Sequence, residues 1–176
     1  MPSAALARHP AAPCAALTGI QVHLARDKKL LKVVYMLEGD IARLRIPSPR
    51  APRVAERLWQ HTCCEIFIAR EGAPGYREFN LSPSGEWAAY AFDDYRQRGR
   101  DVEPVDPGIR VKHEPRRLEL AASVPIAENG KLRIGLSVVV EEDGGQLSYW
   151  ALRHAPGKPD FHHADAFALE LDEARH

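Results

Sequence analysis

Apolar and polar residues alternate along most of this chain with a period close to two. The longest row has apolar side chains at every second position from residue 132 to 140, and similar rows occupy 20–24 and 118–124. A period of two is typical of strands that place one face on a core. The pattern predicts further strands at about 29–38, 41–46, 60–69, 76–82, 86–93, 108–114, 146–153 and 165–171.

Clusters of glycine, proline and small polar residues separate these rows. They lie at 38–40, 71–75, 82–85, 128–130 and 143–145. Such clusters are typical of turns, and no segment carries a sustained apolar stripe with a helical period. The sequence therefore predicts an all-β fold, an antiparallel β-sandwich of jelly-roll or immunoglobulin-like type with about ten strands.

The chain of 176 residues has the length of one ordinary domain. Residues 1–16 are rich in alanine and proline, which predicts a loose N-terminal arm ahead of a sandwich domain at 17–176. Two irregular stretches, 47–56 and 94–107, are rich in proline or charge and are interpreted as crossings between strands.

The amino-acid composition limits the kinds of molecule that this chain is expected to bind. Lysine plus arginine equals aspartate plus glutamate at 24 each, so no overall field favours nucleic acid or an anionic membrane surface. The apolar runs are far shorter than the roughly 20 residues needed to span a bilayer, and residues 1–17 lack the apolar stretch of a secretory signal. The expected location is the cytoplasm, with Cys14, Cys63 and Cys64 as reduced thiols.

The strand predicted at 76–82 is the most informative, because a turn on each side fixes its register. The two turns place Glu65 near Glu78, and Glu78 opposite Tyr90. Glu65, Glu78, Asn80 and Tyr90 then share one face of the sheet. The opposite face is apolar and is interpreted as the core.

The polar face also carries aromatic side chains of the same parity. Aromatic rings beside fixed donors and acceptors are suited to a sugar, whose C–H face stacks while its hydroxyls form hydrogen bonds. A solvated outer face is the alternative explanation. The predicted ligand-binding residues are Trp59, Glu65, Tyr76, Glu78, Asn80 and Tyr90.

Catalysis is not expected. The neighbouring carboxyl groups are compatible with an acid and base pair for glycoside hydrolysis, but no third group is placed to hold a nucleophile or a water. The chain also lacks G-x-S-x-G, a phosphate loop and H-E-x-x-H. The prediction is therefore a protein that is not an enzyme.

A second candidate site lies near the C-terminus, where a strand, a short loop and several imidazoles come together in sequence. Its residues are Trp150, His154, Asp160, His162 and His163. Three histidines and an aspartate suit a transition metal or haem iron, but their spacing matches no compact metal motif. We favour a structural loop that holds the last strand against the core, and we predict neither a metal nor a cofactor.

Three runs carry a resemblance to a known family. The runs at 58–68, 76–90 and 149–152, together with Pro159-Asp160-Phe161-His162-His163, resemble the DOMON-like domains related to type 9 carbohydrate-binding modules. The resemblance extends over nearly the whole chain from about residue 17. It implies a β-sandwich that binds either a sugar or haem, and in type 9 modules the sugar lies between aromatic rings.

The function expected from these observations is non-catalytic binding of a small ligand, most simply a carbohydrate or sugar derivative, on one sheet face. Two alternatives stay open. One is a haem- or metal-binding domain of the DOMON type that uses His154, His162 or His163. The other is an interaction domain without a small ligand.

Overall fold

The computed structural model describes residues 2–173 and is an antiparallel β-sandwich, which confirms the predicted class. Within this part of the chain there are twelve strands. They are β1 (Ser3–Arg8), β2 (Leu17–Asp27), β3 (Leu30–Gly39), β4 (Cys63–Arg70), β5 (Tyr76–Leu81), β6 (Trp87–Asp94), β7 (Gln97–Arg98), β8 (Arg110–His113), β9 (Arg117–Pro125), β10 (Leu132–Glu141), β11 (Leu147–Ala151) and β12 (Leu169–Leu171). Short 3-10 turns occur at Ile41–Arg43, Leu58–Gln60 and Ala164–Ala166.

The strands form two sheets that share one strand. The first sheet has the order β1-β2-β3-β9-β8, and the second has the order β7-β6-β5-β4-β10-β11-β1, with β12 also paired to β10. The N-terminal part of β1 pairs with β2, whereas Ala7 and Arg8 pair with β11. The strand β1 therefore passes from one sheet to the other and joins them. No helix in residues 2–173 is long and apolar enough to cross a membrane.

The prediction of a loose arm over residues 1–16 was wrong. Residues 3–8 form β1, and Leu6 is buried in the core. Backbone hydrogen bonds to β2 and β11 hold this strand in place. The composition of an alanine-rich stretch does not indicate such pairing. The strand predicted at 41–46 was also wrong, because Ile41–Arg43 form a 3-10 turn and Leu44 makes only a single bridge to Glu142.

The inward faces of the two sheets form one apolar core. The predicted core face of the central hairpins is confirmed, since Ile66, Phe79 and Trp87 belong to this core. Alternate residues of β2, β3 and β9 contribute from the other sheet. Tyr35 of β3 is fully buried there, and its hydroxyl donates a hydrogen bond of 2.6 Å to the carbonyl oxygen of Glu65. This bond ties the first sheet to the second.

Replacing Tyr35 with phenylalanine is expected to lower the free energy of unfolding by about 1–2 kcal/mol, because a buried carbonyl loses its donor while the ring remains. Urea unfolding of the Tyr35→Phe variant measures the change. Tyr149→Phe provides the control, since the hydroxyl of this half-buried residue forms no hydrogen bond with the protein within residues 2–173. An equal loss in both variants would contradict a special role for the buried bond.

Candidate ligand-binding site

The hydrogen-bond register of the central hairpins brings the predicted polar residues to one face. Glu78 lies opposite Tyr90, as predicted. Glu65 lies opposite Asn80 and not near Glu78 in the ladder, because Ala69 pairs with Tyr76 instead of Pro74. This slip is two residues, an even number, so every side chain keeps its predicted face.

A cavity of about 700 Å³ lies over this face of the second sheet. Its floor is formed by β4, β5 and β6, and its rim by the 3-10 turn Leu58–Gln60, the region around β7 and the loop after β11. Its aromatic lining residues are Trp59, Tyr90, Phe92, Tyr149 and Phe161. Its charged or titratable lining residues are Glu56, Arg57, Glu65, Glu78, Arg96, Arg98 and His162.

A second, smaller apolar cluster lies on the same face of the sheet and shares Phe92 and Phe161 with the cavity lining. The rings of Tyr76 and Phe92 stack with centroids 4.8 Å apart, and those of Phe67 and Phe167 stack at 5.5 Å. Gly135 on β10 leaves the space that this layer needs, because a Cβ there would lie 2.7 Å from Cδ1 of Phe167. The outward face of the second sheet is therefore half covered and is not a solvated surface.

A chain of hydrogen bonds fixes His162 at the edge of the floor. The backbone N–H of Arg96 donates to the hydroxyl of Tyr76 at 3.0 Å, and this hydroxyl lies 2.8 Å from Nδ1 of His162. If the hydroxyl donates to Nδ1, the ring carries its proton on Nε2, which lies 3.5 Å from a carboxyl oxygen of Glu78. The carboxylate of Asp160 accepts from the backbone N–H of His162 and from the guanidinium of Arg96.

Burial shifts the titration of the groups on the floor. It raises the pKa of Glu78 to about 7, although the cations Arg96 and Arg98 act in the opposite direction. It also raises the pKa of Glu65 well above its ordinary value, and the neighbouring Glu78 adds to that rise. The two carboxyl groups thus hold protons at a pH where exposed glutamates are ionised.

The imidazole of His162 responds to the same surroundings in the opposite direction. Burial and the nearby Arg96 lower the pKa of His162 to about 4. The ring is therefore neutral near pH 7, where its Nε2 faces a carboxyl group that is itself about half protonated. Burial thus reduces the charge on both the acidic and the imidazole groups of the floor.

Four of the six predicted ligand-binding residues line the cavity, namely Trp59, Glu65, Glu78 and Tyr90. Trp59 stands at the rim and is 50% exposed, whereas Glu65 is only 3% exposed. Tyr76 and Asn80 do not line the cavity, although they lie on the same face of the sheet as Glu65 and Glu78. The side chain of Asn80 is fully buried, and neither of its polar atoms has a hydrogen-bond partner among residues 2–173.

The five residues of the second candidate site do not form one common site, although Asp160 and His162 contact each other. His162 reaches the cavity and Asp160 holds Arg96, whereas Trp150 belongs to the main core. His154 bonds the carbonyl oxygen of Ala7, and Nδ1 of His163 accepts from a backbone N–H of the last 3-10 turn. The segment folds across the second sheet, so residues adjacent in sequence serve different layers. Within residues 2–173 no three histidine, cysteine or acidic side chains are placed to hold a metal.

Sequence reasoning missed several residues of the cavity. Arg96 and Arg98 lie in the stretch predicted as an irregular crossing, and the short strand β7 within it was not predicted. Tyr149 and Phe161 come from β11 and the loop after it. Tyr149 precedes the core residue Trp150 on the same strand, so alternation alone could have predicted that Tyr149 faces outward. No local pattern indicated that the loop after β11 brings Phe161 back over the sheet.

Comparison with known proteins yields likenesses of structure alone. No family model and no curated protein matches the sequence. A protein of Bacteroides uniformis provisionally described as carbohydrate-binding is similar to this chain, with 15% identity over 98% of this chain and 86% of that chain and a TM-score of 0.64.

A family 9 carbohydrate-binding module of Caldicellulosiruptor kristjanssonii is similar in two structures. In complex with glucose it is 11% identical over 88% of this chain and 75% of that chain, with a TM-score of 0.59. In complex with cellotriose it is 12% identical over 86% of this chain and 74% of that chain, with a TM-score of 0.53. These likenesses establish the fold, and at that level they agree with the resemblance to type 9 modules.

Proposed function

We propose that this protein binds a saccharide, without catalysis, in the cavity over the second sheet. The observation that carries the proposal is the cavity itself, where aromatic walls flank a floor that holds two buried carboxyl groups. Its volume of about 700 Å³ is within the usual range for small-ligand sites. The ligand class complexed by the family 9 module of similar fold supports the same proposal.

Each wall has a distinct role in this proposal. Tyr149, and the face of the Tyr90 ring that Arg98 does not cover, offer surfaces for the C–H face of a sugar, and the half-exposed Trp59 closes the rim. Glu65 and Glu78 lie on the floor, where a protonated carboxyl both donates to and accepts from ligand hydroxyls. A buried floor with fixed polar groups gives orientation, because a wrongly placed hydroxyl leaves a polar group unpaired.

Binding is favoured over glycoside hydrolysis by the state of the two carboxyl groups. Hydrolysis needs one carboxylate that stays ionised beside a protonated acid. Burial raises the pKa of both Glu65 and Glu78, and within residues 2–173 neither forms an ion pair with lysine or arginine within 4.0 Å. Neither group is thus held ionised at neutral pH as a nucleophile would be.

Titration calorimetry against a panel of monosaccharides and short glucans tests the proposal. We expect saturable binding by the wild type and an affinity about fivefold to tenfold lower in Tyr90→Ala and Tyr149→Ala, the range expected for a stacked ring. Val111→Ala is the matched control, because this side chain is exposed on β8 of the first sheet. No binding across the panel, or equal losses in the control, would overturn the proposal.

A further inference from the structure

We infer that the bound saccharide carries a negative charge, as a carboxylate or a phosphate group, and that Arg57 and Arg98 bind this charge at the mouth of the cavity. The inference rests on the saccharide-binding function proposed above and specifies its ligand class. The evidence for this ligand class is the distribution of paired and unpaired charges around the cavity.

Within residues 2–173 three arginines line the cavity, and of these only Arg96 forms an ion pair with an acid. The guanidinium of Arg96 binds Asp160 at 2.8 Å, and its Nε lies 3.2 Å from the hydroxyl of Tyr95. Within residues 2–173, neither Arg57 nor Arg98 has a carboxylate within 4.0 Å. Two exposed guanidinium groups at the mouth are thus available for an anionic ligand.

Arg98 is positioned for a specific contact. Its guanidinium carbon lies 4.4 Å from the centroid of the Tyr90 ring and 5.9 Å from that of Phe92. A guanidinium laid over a ring is restricted in orientation yet keeps its N–H edge free, which suits bidentate contact with a carboxylate or phosphate. The same Tyr90 lines the cavity, so the charge site adjoins the surface proposed to stack a sugar.

Arg57 approaches the mouth from a different element. It directly precedes the 3-10 turn Leu58–Gln60 and adopts a left-handed backbone conformation with φ of 59°. Non-glycine residues adopt this conformation infrequently, so the direction of the chain here is set by the surrounding structure. Arg57 also lines an adjoining depression of about 630 Å³, which places its side chain where the two hollows meet.

The acidic side chains of the cavity do not cancel these cations. Glu65 and Glu78 are buried on the floor, where burial raises the pKa of both, and His162 is neutral near pH 7. Glu56 is the acid at the mouth, and one carboxylate does not neutralise two free guanidinium groups.

Matched pairs of ligands test the charge separately from the sugar. Calorimetry at pH 6 and constant ionic strength compares D-glucose with D-glucuronate and with glucose 6-phosphate, and D-galactose with D-galacturonate. We expect the acidic member to bind about tenfold more tightly or better, the range of a charge-assisted hydrogen bond. The preference should fall to near unity in Arg98→Gln and narrow in Arg57→Gln. Arg110→Gln, an exposed arginine on β8 of the first sheet, should keep it.

The outcomes separate the two proposals. A uronate preference and a phosphate preference each support the inference and identify the group. Equal or tighter binding of the neutral sugars would overturn the inference and leave saccharide binding intact. Binding of inorganic phosphate or acetate as tight as that of the sugar acids would also overturn it, because charge alone would then be recognised. No binding of any pair would overturn both proposals.

Discussion

Replacing Glu78 with glutamine is expected to raise the free energy of unfolding by about 3 kcal/mol at pH 8 and to change it little at pH 4.5. Burial raises the pKa of Glu78 from 4.5 to about 7, a shift that corresponds to about 3 kcal/mol. The folded protein binds the proton more tightly than the unfolded chain. The stability gained from that proton is fully present below pH 4.5 and is lost as the pH rises to about 7.

Urea unfolding of wild type and Glu78→Gln at both pH values measures this effect. Glutamine keeps the shape of the neutral carboxyl group, so the variant should lose most of the wild type's decline in stability between the two pH values. Glu86→Gln is the opposing control, because the 2.8 Å ion pair with Arg53 lowers the pKa of Glu86 and that variant should be less stable at pH 8. Destabilisation of Glu78→Gln at pH 8 would contradict the prediction.

Arg77→Ala is expected to lower the free energy of unfolding by about 3 kcal/mol. The guanidinium of Arg77 makes two hydrogen bonds to the carboxylate of Glu128, at 2.6 and 2.7 Å, and a third to the carbonyl oxygen of Pro125 at 2.8 Å. The side chains of the ion pair are only 13% and 17% exposed. Removing one partner leaves a largely buried carboxylate and a carbonyl without their donor.

The guanidinium of Arg77 connects β5 of the second sheet to the end of β9 through Pro125 and to the following segment through Glu128, so its loss should be visible in thermal and urea unfolding. Lys32→Ala is the control for an ordinary surface pair, because Lys32 and Asp27 are 52% and 58% exposed and should contribute about 0.5 kcal/mol. The double variant Arg77→Met with Glu128→Leu should recover much of the loss, since no unpaired charge remains. A small change in Arg77→Ala would show that the pair is energetically unimportant.

The local sequence pattern was sufficient to predict most of the strands and much of their pairing in the second sheet. The alternation along β10 and the turns on each side of β5 predict which residues point inward, and the pairing of Glu78 with Tyr90 follows from the turn alone. These features depend on the period of the strand and on turn chemistry, both of which act over a few residues. The predicted register of β4 against β5 was wrong by two residues. An even error leaves every side chain on its predicted face of the sheet.

The cavity required information from distant parts of the chain. The polar row of Glu65, Glu78 and Asn80 has the period of a solvated outer face, yet the loop after β11 returns over it and brings Phe161 and His162 with it. That coverage removes water from the carboxyl groups and is the main cause of the rise in their pKa. Desolvation is a property of the packed molecule, and no spacing of residues along a strand encodes it.

The sequence by itself determined the period, the turns, the two faces of the central hairpins and the residue types available on each face. Only the tertiary structure decided that β1 is a shared strand, that His154 and His162 serve different layers, and that Arg98 lies over Tyr90. The division has a physical reason. Backbone alternation and turn preferences are local, whereas strand pairing across the chain, the return of a loop and the burial of a charge arise from contacts between segments far apart in sequence.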